Sequence, residues 1–247
     1  MDTLFYHLNT NYIMGKKMKL PWQDTSSTIA DLGVKCSYMI CDVSQHQQVY
    51  LKAEEIKKTV GNVTILVNNA GVVCGKPIID SNDDDIQKVF ETNTLSNIWT
   101  IKSFLPGMIS EQRGHIVTMN SVLGLIAMKG AGDYCSSKFA TKGLLESLKW
   151  ELLPYPYIYM TTVHPYTVDN QMFSGIKIRF PFMLPPLKEE YVSRRTVAAV
   201  LTNSEQIVLP RMMHLLVWSM NTFPVEAMYA PVKFFGADKT MDTFHKE

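Results

Sequence analysis

Ser121-Val122-Leu123-Gly124-Leu125, followed by Asp133-Tyr134-Cys135-Ser136-Ser137-Lys138-Phe139-Ala140, is the stretch on which the reading of this chain turns. A helical pattern begins around Tyr134 and runs to about Leu153, so Tyr134 and Lys138 stand one turn apart on one face. A phenol in water ionises only at a pH of about 10. A fixed ammonium one turn away favours the phenolate, so Tyr134 is expected to be brought toward the working range of a proton-transfer group. Ser121, thirteen residues upstream, follows the apolar strand-like run His115–Met119, where a hydroxyl can meet a substrate oxygen.

Working outward, strand-like runs fall at Lys35–Cys41, Thr64–Asn68, His115–Met119, Tyr157–Val163 and Ile207–Pro210. Helical patterns lie between them near Gln47–Val60, Asp83–Ser110, Tyr134–Leu153 and Glu189–Thr202. Such alternation predicts parallel pairing, right-handed crossovers and helices on both faces of the sheet. Asp83, Asp84 and Asp85 form an acidic first turn suited to a helix N-terminus rather than to a metal. Pro106 is expected to end or kink its helix.

These motifs together resemble the short-chain dehydrogenase/reductase family. Ile65-Leu66-Val67-Asn68-Asn69-Ala70-Gly71 is similar to its strand-four signature, and the branch with the nearest counterparts contains retinol dehydrogenase 10 and the epidermal retinol dehydrogenases. The fold this implies is α/β, a Rossmann-like doubly wound parallel sheet, here N-terminally incomplete. The resemblance implies a catalytic set of Ser121, Tyr134, Lys138 and Asn93, and hydride transfer between NAD or NADP and an apolar alcohol or ketone, retinoid- or steroid-like. Ser121 would hold the substrate oxygen, Tyr134 would move the proton, and Lys138 would lower the Tyr134 pKa. Asn93 would hold a water that relays the proton to solvent. Cofactor contacts are expected from Asp42 and Val43 at the adenine, and from Asn69, Ala70, Gly71, Asn93, Tyr134 and Lys138 along the site. Pro165 and Val168 would meet the carboxamide, although Tyr166 stands where the family usually has Gly.

The family's glycine-rich turn, which lets the backbone approach a pyrophosphate at a helix N-terminus, has no counterpart here. Before Gly33 the only glycine is Gly15, in Met14-Gly15-Lys16-Lys17. We therefore expect residues 1–24 to be a non-family segment, residues 25–247 to be a truncated family domain, and nucleotide binding to be weak. The alternative function is a catalytically impaired partner or truncated isoform that dimerises, as a homodimer or with a complete relative. In the family strand order, 3-2-1-4-5-6-7, strand three would lack its neighbour and strand four would have a bare edge. Leu4–Leu8 is the one candidate substitute strand.

Composition narrows the rest. A formal charge of +1 on 247 residues argues against nucleic acid. Cys36, Cys41, Cys74 and Cys135 show neither CxxC nor metal spacing, and His115, His164 and His214 are scattered singly, as structural residues are. No apolar run reaches the roughly 18–20 residues of a membrane span. Met212–Val225 and Met228–Phe235 either pack on the sheet or meet a membrane surface or lipid-like substrate. The resemblance implies the cytosolic face of the endoplasmic reticulum membrane or a lipid droplet, with the cytoplasm as the alternative. The loop Asn170–Leu187 is apolar enough to wall a pocket for a long alcohol, or to pack on its own core.

Overall fold

The computed structural model describes residues 4–6, 12–13, 16–17, 37 and 39–244. Five strands form one sheet in the order β1 (Leu4–Tyr6), β4 (Ile65–Asn68), β5 (Gly114–Met119), β6 (Ile158–Pro165), β7 (Gln206–Leu209), every pair parallel. The short β2 (Tyr12–Ile13) and β3 (Lys16–Lys17) pair antiparallel with each other. The strand runs are apolar because helices cover both faces, leaving no solvent side that needs polar residues.

Alternation along the strands sorts the core into two layers. Leu66, Ile116 and Ile158 point to one face, where they pack with Ala53 and Ile56 of α1 (His46–Thr59), Ile101 and Phe104 of α3 (Ser96–Ser110) and Leu145 and Leu148 of α4 (Gly132–Glu151). Val67, Val117 and Val163 point to the other face, against Leu187 and Val192, the latter on α5 (Glu189–Leu201). α2 (Asp83–Phe90) opens with the side chain of Asn82 accepting from Asp84 N–H, and its three aspartates occupy the first turn. α6 (Met213–Thr222) and α7 (Val225–Phe235) close the described chain beyond β7.

The expected strands at Thr64–Asn68, His115–Met119, Tyr157–Val163 and Ile207–Pro210 and the four expected helices are present with shifted ends. The run Lys35–Cys41 lies partly outside the described residues, and those described within it form no strand. The edge of β4 is not bare: Leu4 pairs with Ile65, Phe5 with Leu66 and Tyr6 with Val67. Pro106 does not end its helix, which runs on to Ser110. Within the Met212–Val225 segment, Met213–Thr222 is a helix that leaves Leu215 and Trp218 exposed and buries Met213. Among the described residues no helix is long and apolar enough to cross a membrane.

Candidate active site at the carboxyl ends of the strands

The site lies where strand ends leave a crevice in folds of this kind. Ser121 follows β5 and heads a short turn, its hydroxyl accepting from Leu123 N–H at 3.1 Å. Tyr134 and Lys138 come from the first two turns of α4 and are both buried. The Ser121 side chain lies close enough to Tyr134 to act on its phenol. Burial pushes the Tyr134 phenol up, and the Ser121 side chain offsets only part of that shift. The expectation that Lys138 lowers it is not met. Lys138 Nζ sits 5.6 Å from the centre of the Tyr134 ring and donates to the Met119 carbonyl at 3.1 Å, so its charge is aimed at the ring and the backbone. Burial without a carboxylate partner holds the Lys138 ammonium down to about 8.

Asn93 sits in a π-helical turn, Glu91–Leu95, between α2 and α3. Single turns of this kind interrupt helices at positions where a side chain must be re-aimed. Its amide is fully engaged: Oδ1 accepts from Val72 N–H at 2.8 Å, and Nδ2 donates to the Val72 carbonyl and the Ser137 hydroxyl, each at 2.9 Å. Its main-chain carbonyl accepts from Asn97 Nδ2 at 2.7 Å and Thr141 Oγ1 at 2.9 Å. Asn93 is thus the buttress that ties the loop after β4 to α4. A Cβ added to Gly71 would meet Asn93 Oδ1 at 3.5 Å and Lys138 Nζ at 3.7 Å. These are ordinary contacts, so glycine there keeps space open beside the ammonium without being sterically demanded.

Of the adenine-side residues, Val43 is buried and Asp42 is turned to its own chain. The Asp42 carboxylate accepts from Ser44 N–H at 3.0 Å and Ser44 Oγ at 2.7 Å, and Lys88 Nζ lies 3.3 Å away. Burial raises its carboxyl, but the Ser44 hydrogen bonds and the Lys88 charge outweigh that and hold it below the ordinary carboxylate range. Asn69 is exposed, Ala70 half-buried and Gly71 buried. Pro165 ends β6 opposite Leu209, and Val168 forms a parallel bridge with Leu187. Asp169 N–H donates to the Leu187 carbonyl and Leu187 N–H to the Thr167 carbonyl, each at 2.8 Å. Both ends of the Asn170–Leu187 loop are therefore tied together.

That loop divides between two packings. Met172, Phe173 and Ile176 gather with Tyr134, the Phe173 ring edge-on to Tyr134 at 6.2 Å. Phe180 and Phe182 turn outward, Phe180 meeting Phe234 and Phe235 of α7.

Sequence reasoning missed two contributors, Asn120 and Lys88, and read a third, His164, only as a structural residue. His164, fully buried, donates from Nδ1 to the Ser121 carbonyl at 2.9 Å, which fixes its tautomer, and burial holds it neutral by lowering it to about 4. Asn120 Nδ2 donates to the Lys138 carbonyl at 3.2 Å. Lys88 neutralises Asp42. His115 meets Thr161 at 2.8 Å, the structural role expected of it. Among the described residues there is no cluster of three or more His, Cys, Asp or Glu fit to hold a metal.

The nicotinamide half of a dinucleotide fits these residues. Gly71 leaves space beside the buried Lys138 ammonium, and Asn68 Nδ2, Asn97 Oδ1 and Asn120 Oδ1 are buried without a hydrogen-bond partner near the ends of β4 and β5. The segment that would face the pyrophosphate falls on residues outside the described ones.

Comparison with known proteins agrees with this geometry. The family model for short chain dehydrogenase matches residues 5–178. Human short-chain dehydrogenase/reductase 3 is 46% identical over 222 residues, which cover 90% of this chain and 74% of that protein. Human retinol dehydrogenase 10 is 43% identical over 209 residues, 83% of this chain and 61% of that one. A short-chain dehydrogenase/reductase from Burkholderia phymatum in complex with NAD superposes with a TM-score of 0.71 at 23% identity, covering 79% of this chain and 78% of that one. An alcohol dehydrogenase from Thermococcus sibiricus complexed with 5-hydroxy-NADP gives 0.65 at 21%, covering 76% and 79%. The two solved structures speak for the fold alone, whereas the matched residues and the identity to the curated relatives decide membership. The chain belongs to the short-chain dehydrogenase family.

Proposed function

We propose that this chain is an oxidoreductase for an apolar alcohol or its carbonyl, retinoid- or steroid-like, working with NAD or NADP. The observation that carries the reading is the juxtaposition of Ser121 with the buried Tyr134 phenol, against which Met172, Phe173 and Ile176 pack. Apolar side chains therefore pack against the phenol that would exchange the proton. The relative named as a retinol dehydrogenase supports the same substrate class.

In this mechanism Ser121 holds the substrate oxygen and Tyr134 exchanges the proton with it. The nicotinamide, when bound, supplies or accepts the hydride. Lys138 lies along the ribose side and Asn93 keeps the Val72 loop and α4 in register beneath it. Pro165 and Val168 shape the wall toward the carboxamide, and Asn69, Ala70 and Gly71 line the cofactor face. Because burial keeps Tyr134 protonated, reduction of a carbonyl has its acid ready at neutral pH, while oxidation should quicken as pH rises. Tyr134→Phe should lower turnover of retinol-like alcohols by about 10²–10⁴-fold, the usual scale of a lost proton-transfer group. Unchanged turnover in that variant sinks the reading.

A second reading has its own observation. Asp42 is already occupied by Ser44 and Lys88, which weakens the case for an adenine contact there. A dimerising partner without turnover fits that state, and Leu95 on the helix side and Phe139 on α4 offer exposed apolar contact for it. Calorimetric titration with NADH and NADPH separates the two: micromolar binding of either supports the enzyme, and its absence supports the partner. Exposed Trp218, Phe223, Tyr229 and Phe234 beside Arg179 and Lys233 also suit a peripheral contact with endoplasmic reticulum or lipid-droplet surface.

A further inference from the structure

α7 ends at Gly236 in the left-handed conformation, and the chain turns through Ala237–Lys239 and comes back over the site. Thr240, Met241 and Phe244 are buried there. Met241 and Phe244 join Tyr134, Val73, Ala131 and Cys135 in one apolar cluster, with Phe173 and Met172 of the Asn170–Leu187 loop packed against it.

The return path is specified at its contact points. Gly75 and Gly130 both hold positive φ, 72° and 76°. A Cβ on Gly75 would lie 2.0 Å from Phe244 Cδ1, and one on Gly130 would lie 3.0 Å from Met241 Cβ. Each bare backbone is thus the seat of one side chain from the returning segment. Two fastenings hold it from the sides: Asp242 pairs with Lys129 at 3.1 Å, and Thr243 Oγ1 donates to the Gly175 carbonyl at 2.6 Å. One reaches the loop before α4 and the other reaches the substrate-side loop. The segment therefore straps together two elements that flank Tyr134.

We infer, taking from the oxidoreductase reading only that Tyr134 is the reacting group, that Met241 and Phe244 are specificity-determining residues. They form the wall that reads the body of a long, flexible, apolar alcohol whose oxygen meets Ser121 and Tyr134. A hydroxyl bound at Ser121 places its carbon chain among Phe173, Met172, Met241 and Phe244, where nothing rewards a polar substituent. The two methionines yield to different shapes, while the phenyl ring on Gly75 sets the depth. The side fastenings are an exposed ion pair and a single hydrogen bond, weak enough to part for a bulky ligand.

The test is nitration of Tyr134 in the full chain by tetranitromethane, read by peptide mass spectrometry, with exposed Tyr159 and Tyr229 as internal standards. In the parent chain Tyr134 should react far more slowly than both. Phe244→Ala should speed Tyr134 alone by about tenfold, the standards and circular dichroism staying constant. 1-Decanol should protect Tyr134 in the parent at concentrations about tenfold lower than in Phe244→Ala, while 1-propanol protects neither. Should Phe244→Ala unfold, Lys129→Ala takes its place, since it releases one fastening at an exposed site; faster Tyr134 nitration there supports the wall. Unchanged Tyr134 nitration in every folded variant, or equal protection of parent and variant by 1-decanol, overturns it. Neither result depends on turnover, so failure here leaves the oxidoreductase reading standing and vice versa.

Discussion

Lys138 shows at the residue scale what the site costs the fold. Its ammonium is buried, its hydrogen bond is to a carbonyl, and its value falls to about 8 from an ordinary 10.5. Between those values the unfolded chain holds the proton and the folded chain releases it, so stability from this residue rises with pH across that window. Below about 8 the charge is present in both states and its burial is a full penalty of roughly 3–4 kcal/mol. Lys138→Met should therefore raise the chemical-denaturation midpoint at pH 7, and should flatten the stability rise from pH 8 toward 10. A variant less stable than the parent at pH 7 would show that the Met119 hydrogen bond outweighs the burial of charge. Ser121, Tyr134 and Lys138 were legible in the sequence because their spacing is local. The contacts that tune them were not: His164 reaches Ser121 across 43 residues and Lys88 reaches Asp42 across 46. No short pattern announces such a meeting, so the raised Tyr134 and the occupied Asp42 emerge only from packing.

Among the elements, the π-helical turn at Glu91–Leu95 does the joining. Sequence periodicity gives a helical run over Asp83–Ser110 and is blind to one extra residue in a turn, since the flanking α-helical periods stay intact. The turn aims the Asn93 amide at both backbone groups of Val72. Asn93→Ala would leave that buried N–H and C=O unpaired at about 1–3 kcal/mol for each group. We expect urea unfolding to show a stability loss of about 2–6 kcal/mol, as a lowered midpoint with an unchanged slope. A loss below about 1 kcal/mol would mean that Val72 finds other partners. Four of the five expected strands, by contrast, were readable to within a residue or two, because Leu66 against Val67 and Ile116 against Val117 must face opposite layers; Lys35–Cys41 forms no strand among its described residues.

For the whole molecule, the sheet edge decides solubility. A bare β4 edge would present unpaired backbone groups to other chains. β1 covers it through three paired residues, which the sequence offered only as a short and ambiguous apolar run. Deleting residues 1–10 should therefore increase the share of chain that elutes as aggregates by size exclusion with light scattering, relative to the full chain. A monodisperse deletion variant would show that β1 is dispensable. The region between β1 and α1 stayed illegible for a different reason: it lacks the glycine pattern that would have fixed its path.

The bridge between Val168 and Leu187 has an evolutionary reach beyond its two hydrogen bonds. It closes the intervening residues into a cassette whose stem is anchored to the sheet and whose contents are free to drift. Insertions or swaps inside the cassette alter what the site accepts without disturbing strand register. Under the proposed function, rewriting this loop changes one wall of the site, the other being Met241 and Phe244, and leaves Ser121, Tyr134 and Lys138 on their own elements.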